Sequence, residues 1–337
     1  MNKSINNHAG LLALSLRLVI GWTYFSAFFR RTILENKLDT EAAGYIGEKF
    51  NHFLPNALGI KPIILHLVEN PDSLWVAMVV FTIIEGIVGL LLMLGFFTRL
   101  MSLGVFGLAM GILLGSGWIG TTCLDEWQIG VLGVSTGWML FLTGSGQYSL
   151  DNYFMKNNHK ITQNKWFVWL ASGTLPIKEN ILPKIVLVVG LLIFGLTLAT
   201  NQIFHGGVWG TLHNKSVKPK LEITEGKFDQ EKLSFDVYRT EGVDVYGAWM
   251  INIQLKDQQN NQVLNYTQED LAQLNDQNIQ NYYVAKIKPG KHSLIIPLGA
   301  KAQINLYDSI LQDLPSGQYT VEITDISGAS WEHTVNK

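Results

Sequence analysis

Long runs of apolar residues, separated by short polar segments, dominate the N-terminal part of the chain. The first run, residues 9–29, holds one charged residue, Arg17. At about 1.5 Å per residue, a helix over this run crosses a hydrocarbon core of about 30 Å. Arg30 and Arg31 follow without the small residues of a cleavage site, so we expect a retained anchor helix rather than a signal peptide. Comparable runs occupy residues 74–97, 100–119, 127–143 and 185–204.

Polar and apolar residues alternate from Lys218 onward, a pattern that is typical of β-strands with one buried face. Thr267 and Asp270 have the spacing of a capping box, which predicts a short helix through about Asn275. The stretches predicted as strands are KLSFDVYR, VYGAWMINIQL, HSLIIPL, AQINLY and GQYTVEIT. Many short strands of this kind favour a β-sandwich.

Together the two patterns predict an α-helical membrane bundle followed by an all-β, sandwich-like outer domain. The bundle is a four-helix unit plus a fifth, tethering transmembrane helix. We expect the four-helix domain at 1–184, with an amphipathic segment at 161–170 on its inner face, the tether at 185–204 and the β-domain at 205–337. The connection 30–73 is too long for a simple loop, and we expect short amphipathic helices there on the outer surface.

The composition agrees with a membrane protein and excludes several classes of function. Only 15% of the 337 residues are charged, against about 25% in soluble domains. The net charge is −2 and neither half holds a basic cluster, which argues against nucleic acid as a partner. The single cysteine excludes an internal disulfide and a four-thiolate cluster. The spacing of His205 and His213 matches no standard metal site, so no metal is expected.

The lysines and arginines of the connections predict the orientation of the helices. Arg99 follows the second run and five lysines lie within 144–184, whereas the connection around Cys123 is acidic. We therefore expect a multi-pass protein of the cell (inner) membrane, with the N-terminus, Arg99 and 144–184 in the cytoplasm. The Cys123 connection and the β-domain then lie on the outer side.

Glycines recur at four-residue spacing in two of the runs. Gly107, Gly111 and Gly115 form one stripe, and Gly133 and Gly137 form another. Small residues let membrane helices approach closely, so both stripes predict tight contacts within a compact bundle.

Two charged residues lie in the middle of apolar runs, where an unpaired charge costs at least about 2.5 kcal/mol. They are Arg17 and Glu85. The structural interpretation is a buried ion pair between them. The functional interpretation gives Glu85 a role in proton transfer beside a bound quinone, and the two are compatible.

Several segments resemble the thiosulfate:quinone oxidoreductase (TQO) family. They are GWTYFSAFFRR at 21–31, GWIGTTCLDEWQIG at 117–130, YGAWMINIQL at 246–255 and LPSGQYTVEITDISGASW at 314–331. The membrane part is similar to the DoxD subunit and the β-domain to the DoxA subunit, here fused in that order. The resemblance implies that two thiosulfates are oxidised to tetrathionate while two electrons pass to a membrane quinone.

Polar residues near the predicted outer face fit this chemistry. Arginine suits a small dianion because its guanidinium donates parallel hydrogen bonds, so Arg30 and Arg31 are candidates for binding thiosulfate. The alternative is that both simply extend from a helix end towards the lipid head groups. Cys123 could attack sulfur as a thiolate or be an inert small residue. Asp125 opposes a thiolate electrostatically but could transfer protons.

No haem-attachment, iron–sulfur or credible flavin motif is visible, which leaves quinone as the expected electron acceptor. Trp118, Trp127 and Trp22, together with Arg17, are the predicted quinone-site residues. Aromatic residues in membrane helices more often serve packing, and this alternative stays open.

Two other functions compete with the enzyme. A membrane-anchored scaffold whose β-domain recruits a redox partner explains the helices and the sandwich equally well. A transporter would use Arg17 and Glu85 in its pathway, but the chain shows no internal repeat of the kind that many transporters have. The expected partners are thiosulfate, the quinone and the lipid bilayer, with a homo-oligomer or a further redox subunit as additional candidates.

Overall fold

The computed structural model of the protein describes residues 8–42, 44–120, 125–243, 248–275 and 277–337. The apolar runs form helices and the alternating stretches form strands, as the two periodicities predict. Helices α1 to α10 are His8–Leu12, Leu14–Phe29, Glu48–Phe53, Lys61–Glu69, Pro71–Leu94, Thr98–Ser116, Asp125–Thr143, Leu150–Lys156, Lys165–Leu170 and Leu182–Phe204. A π-helical turn, Arg30–Leu34, continues α2, and short 3₁₀ turns are Leu54–Asn56 and Lys160–Gln163.

The C-terminal part is built from strands with two short helices between them. Strands β1 to β4 are Lys220–Asp229, Lys232–Glu241, Ala248–Lys256 and Gln262–Tyr266. Helix α11 is Gln268–Leu271, and its capping box between Thr267 and Asp270 is present. Strands β5 to β8 are Ile279–Asn281, Lys288–Pro289, Leu294–Ile296 and Lys301–Tyr307, and α12 is Ile310–Asp313. Strands β9 and β10 are Gln318–Asp325 and Ser330–Asn336.

Three of the described helices, α5, α6 and α10, are long and apolar enough to cross a membrane, which indicates a membrane protein. The first predicted span is divided at Ala13, which leaves 16 residues in α2. Helix α7 covers the fourth predicted span, but Glu126 and Gln128 near its start lower its mean hydropathy. Membrane crossing by α2 and α7, and the sidedness of the chain, stay predictions.

Helices α2, α5, α6 and α7 share one apolar core. Its buried members are Ala13, Tyr24, Val88, Leu92, Met101, Val105, Leu108 and Leu140. The glycines of α7 behave as predicted, because side chains at Gly133 and Gly137 would collide with Ala109 and Phe106 of α6. The prediction was wrong for Gly107 and Gly111, which face away from neighbouring atoms.

The chain divides into two compact units. The first comprises Met1–Ile46, Trp75–Gly117 and Leu124–His213, and the second comprises Gly47–Leu74, Trp118–Cys123 and Asn214–Lys337. The domain bounds expected from the sequence stay a prediction.

The second unit holds two antiparallel sheets, which confirms the sandwich-like fold. One sheet has the strand order β1-β2-β8-β5, and the other has β10-β9-β3-β7-β6 with β4 paired to β3. Buried apolar residues alternate along the strands, and Phe235, Met250, Ile304 and Val321 contribute to one large core.

The connection between α2 and α5 contains α3 and α4, as expected for short helices, and its residues from Gly47 onward belong to the second unit. Asn51 of α3 is fully buried there. Its side chain donates to the carbonyl oxygen of Gly299 (3.2 Å) and accepts from the backbone N–H of Ala285 (3.0 Å). Trp118 donates its indole N–H to the carbonyl oxygen of Phe53 (3.2 Å). These contacts join separate stretches of sequence into one unit.

Candidate functional site

The two arginines that follow α2 lie in the π-helical turn, a local geometry that is frequent at functional sites. Arg31 forms an ion pair with Glu85 of α5, and its guanidinium lies over the ring of Phe81, 5.9 Å from the ring centre. Arg30 is exposed, and its Nη2 donates to Ser26 Oγ (3.2 Å). The turn therefore holds two adjacent cations. Arg31 is paired with a carboxylate, and Arg30 has no acidic partner among the described residues.

The predicted pair between Arg17 and Glu85 is wrong. Glu85 is paired with Arg31. Arg17 donates instead to the carbonyl oxygens of Ser145 (3.1 Å) and Tyr148 (2.6 Å), in the connection after α7. Its guanidinium is buried and bound to backbone, so it has the features of a structural residue.

The packing register of α2 on α5 explains this difference. The two helices approach closely where Gly21 lies against Gly89 and Met93. Arg17, one turn before Gly21, consequently lies against Gly95, beyond the end of α5. Arg31 lies ten residues after Gly21, and this antiparallel register brings it to Glu85.

Arg30 differs from the other four arginines of the chain. Arg17, Arg99 and Arg239 donate to backbone carbonyl oxygens and are buried. Arg31 is bound to Glu85. Among the residues that the structure describes, the hydroxyl of Ser26 is the one hydrogen-bond contact of the Arg30 guanidinium, so most of its N–H groups are available there. Guanidinium donors of this kind suit oxyanions.

Sequence reasoning missed two hydroxyl groups inside the bundle. Thr82 lies one turn before Glu85 on α5 and is 1% exposed, yet its Oγ1 has no partner within the described parts of the chain. Tyr24 of α2 is buried in the bundle core. Its hydroxyl lies beside Gly133 of α7, and the residue interacts electrostatically with Glu85. The only sequence signal is the three-residue spacing of Thr82 and Glu85.

A second polar cluster joins the start of α6 to α8 and the segment after α9. Asp151 is fully buried and accepts from the backbone N–H groups of Phe97 (2.8 Å) and Thr98 (3.1 Å). The hydroxyls of Thr98 and Ser172 also donate to it, each at 2.7 Å. Burial raises the pKa of Asp151, and these hydrogen bonds act in the opposite direction. Because every contact is internal, this cluster fits a structural clamp.

Two predicted site residues lie wholly or partly outside the description. Cys123 is outside the described residues. Asp125 begins α7, and its side chain is likewise outside the description. Their proposed chemistry stays a prediction.

The three tryptophans predicted near the quinone have different environments. Trp118 belongs to the second unit, is 1% exposed and is bound to Phe53. Trp127 of α7 donates its indole N–H to Thr200 Oγ1 of α10 (3.0 Å). Trp22 of α2 is exposed, with its ring 6.1 Å from that of Phe25. The hydrogen bonds of Trp118 and Trp127 favour packing roles, and a quinone contact of any of the three stays a prediction.

The histidine at the end of α10 is buried within the first unit. His205 Nε2 lies 2.9 Å from the carbonyl oxygen of Gly117, and burial lowers the pKa of its imidazole. Within the described ranges, no group of three or more His, Cys, Asp and Glu residues could hold a metal ion.

Two protein-family models match the chain. The family described as TQO small subunit DoxD matches residues 12–178, and the family described as TQO small subunit DoxA matches residues 204–334. The matches follow one another in the predicted order and together span most of the sequence. The chain therefore belongs to the thiosulfate:quinone oxidoreductase family and unites a DoxD part with a DoxA part in one polypeptide.

Proposed function

We propose that the protein is a membrane enzyme that oxidises thiosulfate to tetrathionate and passes the electrons to a membrane quinone. The family membership supports the reaction class. The observation that carries the proposal is the guanidinium of Arg30, without an acidic partner among the described residues, beside the buried Arg31–Glu85 pair. In this proposal the guanidinium of Arg30 binds the anion, and the carboxylate of Glu85 handles a proton for quinone reduction.

Arg30 is the first contact for thiosulfate in this proposal. The guanidinium presents parallel donors to the sulfonate oxygens of thiosulfate. Ser26 holds one side of the guanidinium through Nη2. Arg31 follows directly in the π-helical turn, so a dianion bound to Arg30 attracts its charge as well.

Thiosulfate and Glu85 then compete for Arg31. When the dianion draws Arg31 away, Glu85 is left in the bundle interior without its counter-charge. A buried carboxylate in that state is neutralised by taking up a proton. Glu85 thereby becomes a proton donor inside the membrane unit at the time when the substrate is bound.

The proposed reaction balances as follows. Two thiosulfate dianions lose one electron each, and a sulfur–sulfur bond forms between them to give tetrathionate. The quinone is the electron acceptor and takes up these two electrons with two protons. Cys123 is proposed to take part in the sulfur chemistry and Asp125 in proton transfer. If a Cys123→Ser variant retained turnover, the proposal of a covalent role for Cys123 would be wrong, and the proposed arginine site would be unaffected.

The test is reduction of decylubiquinone by the detergent-purified full-length protein, with and without thiosulfate. Arg30→Gln removes a charge-assisted hydrogen bond worth about 1.5–3 kcal/mol, so we expect the KM for thiosulfate to rise by about tenfold or more. Arg30→Lys keeps the positive charge but loses the paired N–H donors of the guanidinium. Its KM should lie between those of the wild type and Arg30→Gln.

Lys37→Gln is the matched control, because Lys37 is a solvent-accessible cation of the same segment that pairs with Glu35. It removes the same charge and should leave the KM within about twofold, since exposed ion pairs contribute little. If Arg30→Gln and Lys37→Gln raised the KM equally, positive charge in this segment would attract thiosulfate without a specific binding site at Arg30. If the folded wild-type protein reduced no quinone with thiosulfate, the enzyme proposal would fall.

A further inference from the structure

The hydroxyl of Thr82 is an exception among the buried hydroxyls of the helices. Ser102, Ser116 and Thr136 each donate to the carbonyl oxygen four residues earlier, at 2.6, 2.9 and 2.7 Å. Thr200 and Ser26 also bond to their own helices. Thr82 is as buried as these residues, but its Oγ1 has no partner in the described part of the chain. An unmade hydrogen bond in an apolar interior is costly, so the position favours an external acceptor.

Two further polar groups are buried in the interior of the same bundle. Glu85 lies three residues after Thr82 on α5, about 4.5 Å along the helix axis. Its ion-pair partner within the described parts of the chain is Arg31. Tyr24 is buried in the core, 3% exposed, and its hydroxyl lies beside Gly133 of α7. Buried tyrosine hydroxyls usually find a partner. Two donors and one proton-carrying group thus lie within an otherwise apolar interior.

The chemistry of the surroundings restricts the ligand. Tyr24 belongs to an apolar core that includes Val88, Leu92, Val105 and Leu108, an environment that is unfavourable for a small anion. Glu85 also repels negative charge. An apolar molecule with carbonyl oxygens satisfies both hydroxyls without bringing a charge into the bundle, and such a molecule can enter from the lipid.

We propose that Thr82 and Tyr24 bind the head group of the quinone, with their hydroxyls donating to its carbonyl oxygens beside Glu85. This inference rests on the proposed function for the identity of the ligand. It places quinone recognition among α2, α5 and α7 rather than at the tryptophans. The Arg31–Glu85 pair then separates the thiosulfate contact at Arg30 from the quinone contact, and a single carboxylate serves both.

The experiment measures decylubiquinone affinity of the detergent-purified full chain by quenching of tryptophan fluorescence, together with the melting temperature. Thr82→Val and Tyr24→Phe are each expected to raise the Kd about fivefold, the loss that corresponds to one hydrogen bond. Thr82→Ser retains a hydroxyl and should keep the wild-type Kd. Thr136→Val is the matched control, because Thr136 is buried in the same bundle but bonded to its own helix, and its Kd should not change.

Stability separates a binding role from a structural one. Thr82→Val removes a hydroxyl without a described partner, so the melting temperature should stay the same or rise while quinone affinity falls. Unchanged Kd values for Thr82→Val and Tyr24→Phe would overturn the inference and show that water satisfies these hydroxyls. If Arg30→Gln still raised the KM for thiosulfate in that case, the proposed function would stand without this site. A wild-type chain that binds no quinone would overturn both.

Discussion

Replacing either partner of the Arg31–Glu85 pair should destabilise the bundle, but by different amounts. The Glu85 side chain is 4% exposed and that of Arg31 is 20% exposed. Arg31→Gln leaves the buried carboxylate of Glu85 without its partner, and breaking a buried pair in this way costs about 3–5 kcal/mol. Glu85→Gln leaves Arg31 at the end of α2, where a long side chain can turn towards solvent. We expect about 1.5 kcal/mol for that variant, the lower end for a hydrogen bond to a charged group.

The double variant Arg31→Gln/Glu85→Gln removes both charges. It should therefore be more stable than Arg31→Gln alone by about 2 kcal/mol or more, because the changes in unfolding free energy from substituting two contacting residues are not additive. The free energy of unfolding can be followed by circular dichroism during titration of mixed micelles with a denaturing detergent. For Arg31→Gln the deficit should shrink as the pH is lowered, since a buried carboxylate without a partner is neutralised by a proton. Equal losses for both single variants and an additive double variant would refute the ion-pair reasoning.

Three further predictions concern other parts of the molecule. Asp151→Ala leaves buried donors without an acceptor, at a cost of about 1–3 kcal/mol for each such group. The melting temperature of the bundle should therefore fall sharply, and an unchanged melting temperature would exclude the structural role of Asp151. Because burial lowers the pKa of His205, the unfolded chain binds a proton below about pH 6.5 more readily than the folded one. Stability should thus fall as the pH drops through that range, and His205→Asn should flatten the thermal melting profile between about pH 5 and pH 8. Asn51→Ala removes two buried hydrogen bonds of the second unit and should lower its unfolding free energy by about 2 kcal/mol, measured against Asn56→Ala as a less buried control.

The sequence predicts the elements of this protein better than their register. Alternation reveals β2, β3, β7, β8 and β9 because each places apolar residues on one buried face. The flanking strands β1 and β10 were not predicted, since their apolar residues are fewer and their exposed faces are strongly polar. Periodicity alone specifies which face is buried and says little about which partner it meets.

The candidate site shows the same limit. Arg30, Arg31 and Glu85 are recognisable as unusual residues for a membrane protein, and the structure does bring the latter two together. Their pairing depends on the contact of Gly21 with Gly89, which sets the offset between α2 and α5 and which no local pattern encodes. The π-helical turn, and the Thr82 hydroxyl without a partner among the described residues, depend on tertiary packing in the same way.

The interleaved assembly of the second unit has a consequence for biogenesis. Asn51 and Gly299 are 248 residues apart in sequence, yet they form a buried hydrogen bond. During synthesis, α3 and α4 are made long before the strands that cover them. Their apolar faces therefore stay exposed until the last part of the chain has been synthesised. Contacts of such long sequence separation make folding slow. A chain truncated before the C-terminal strands therefore leaves the apolar faces of α3 and α4 exposed, and exposed apolar surface of this kind is what chaperones and proteases bind.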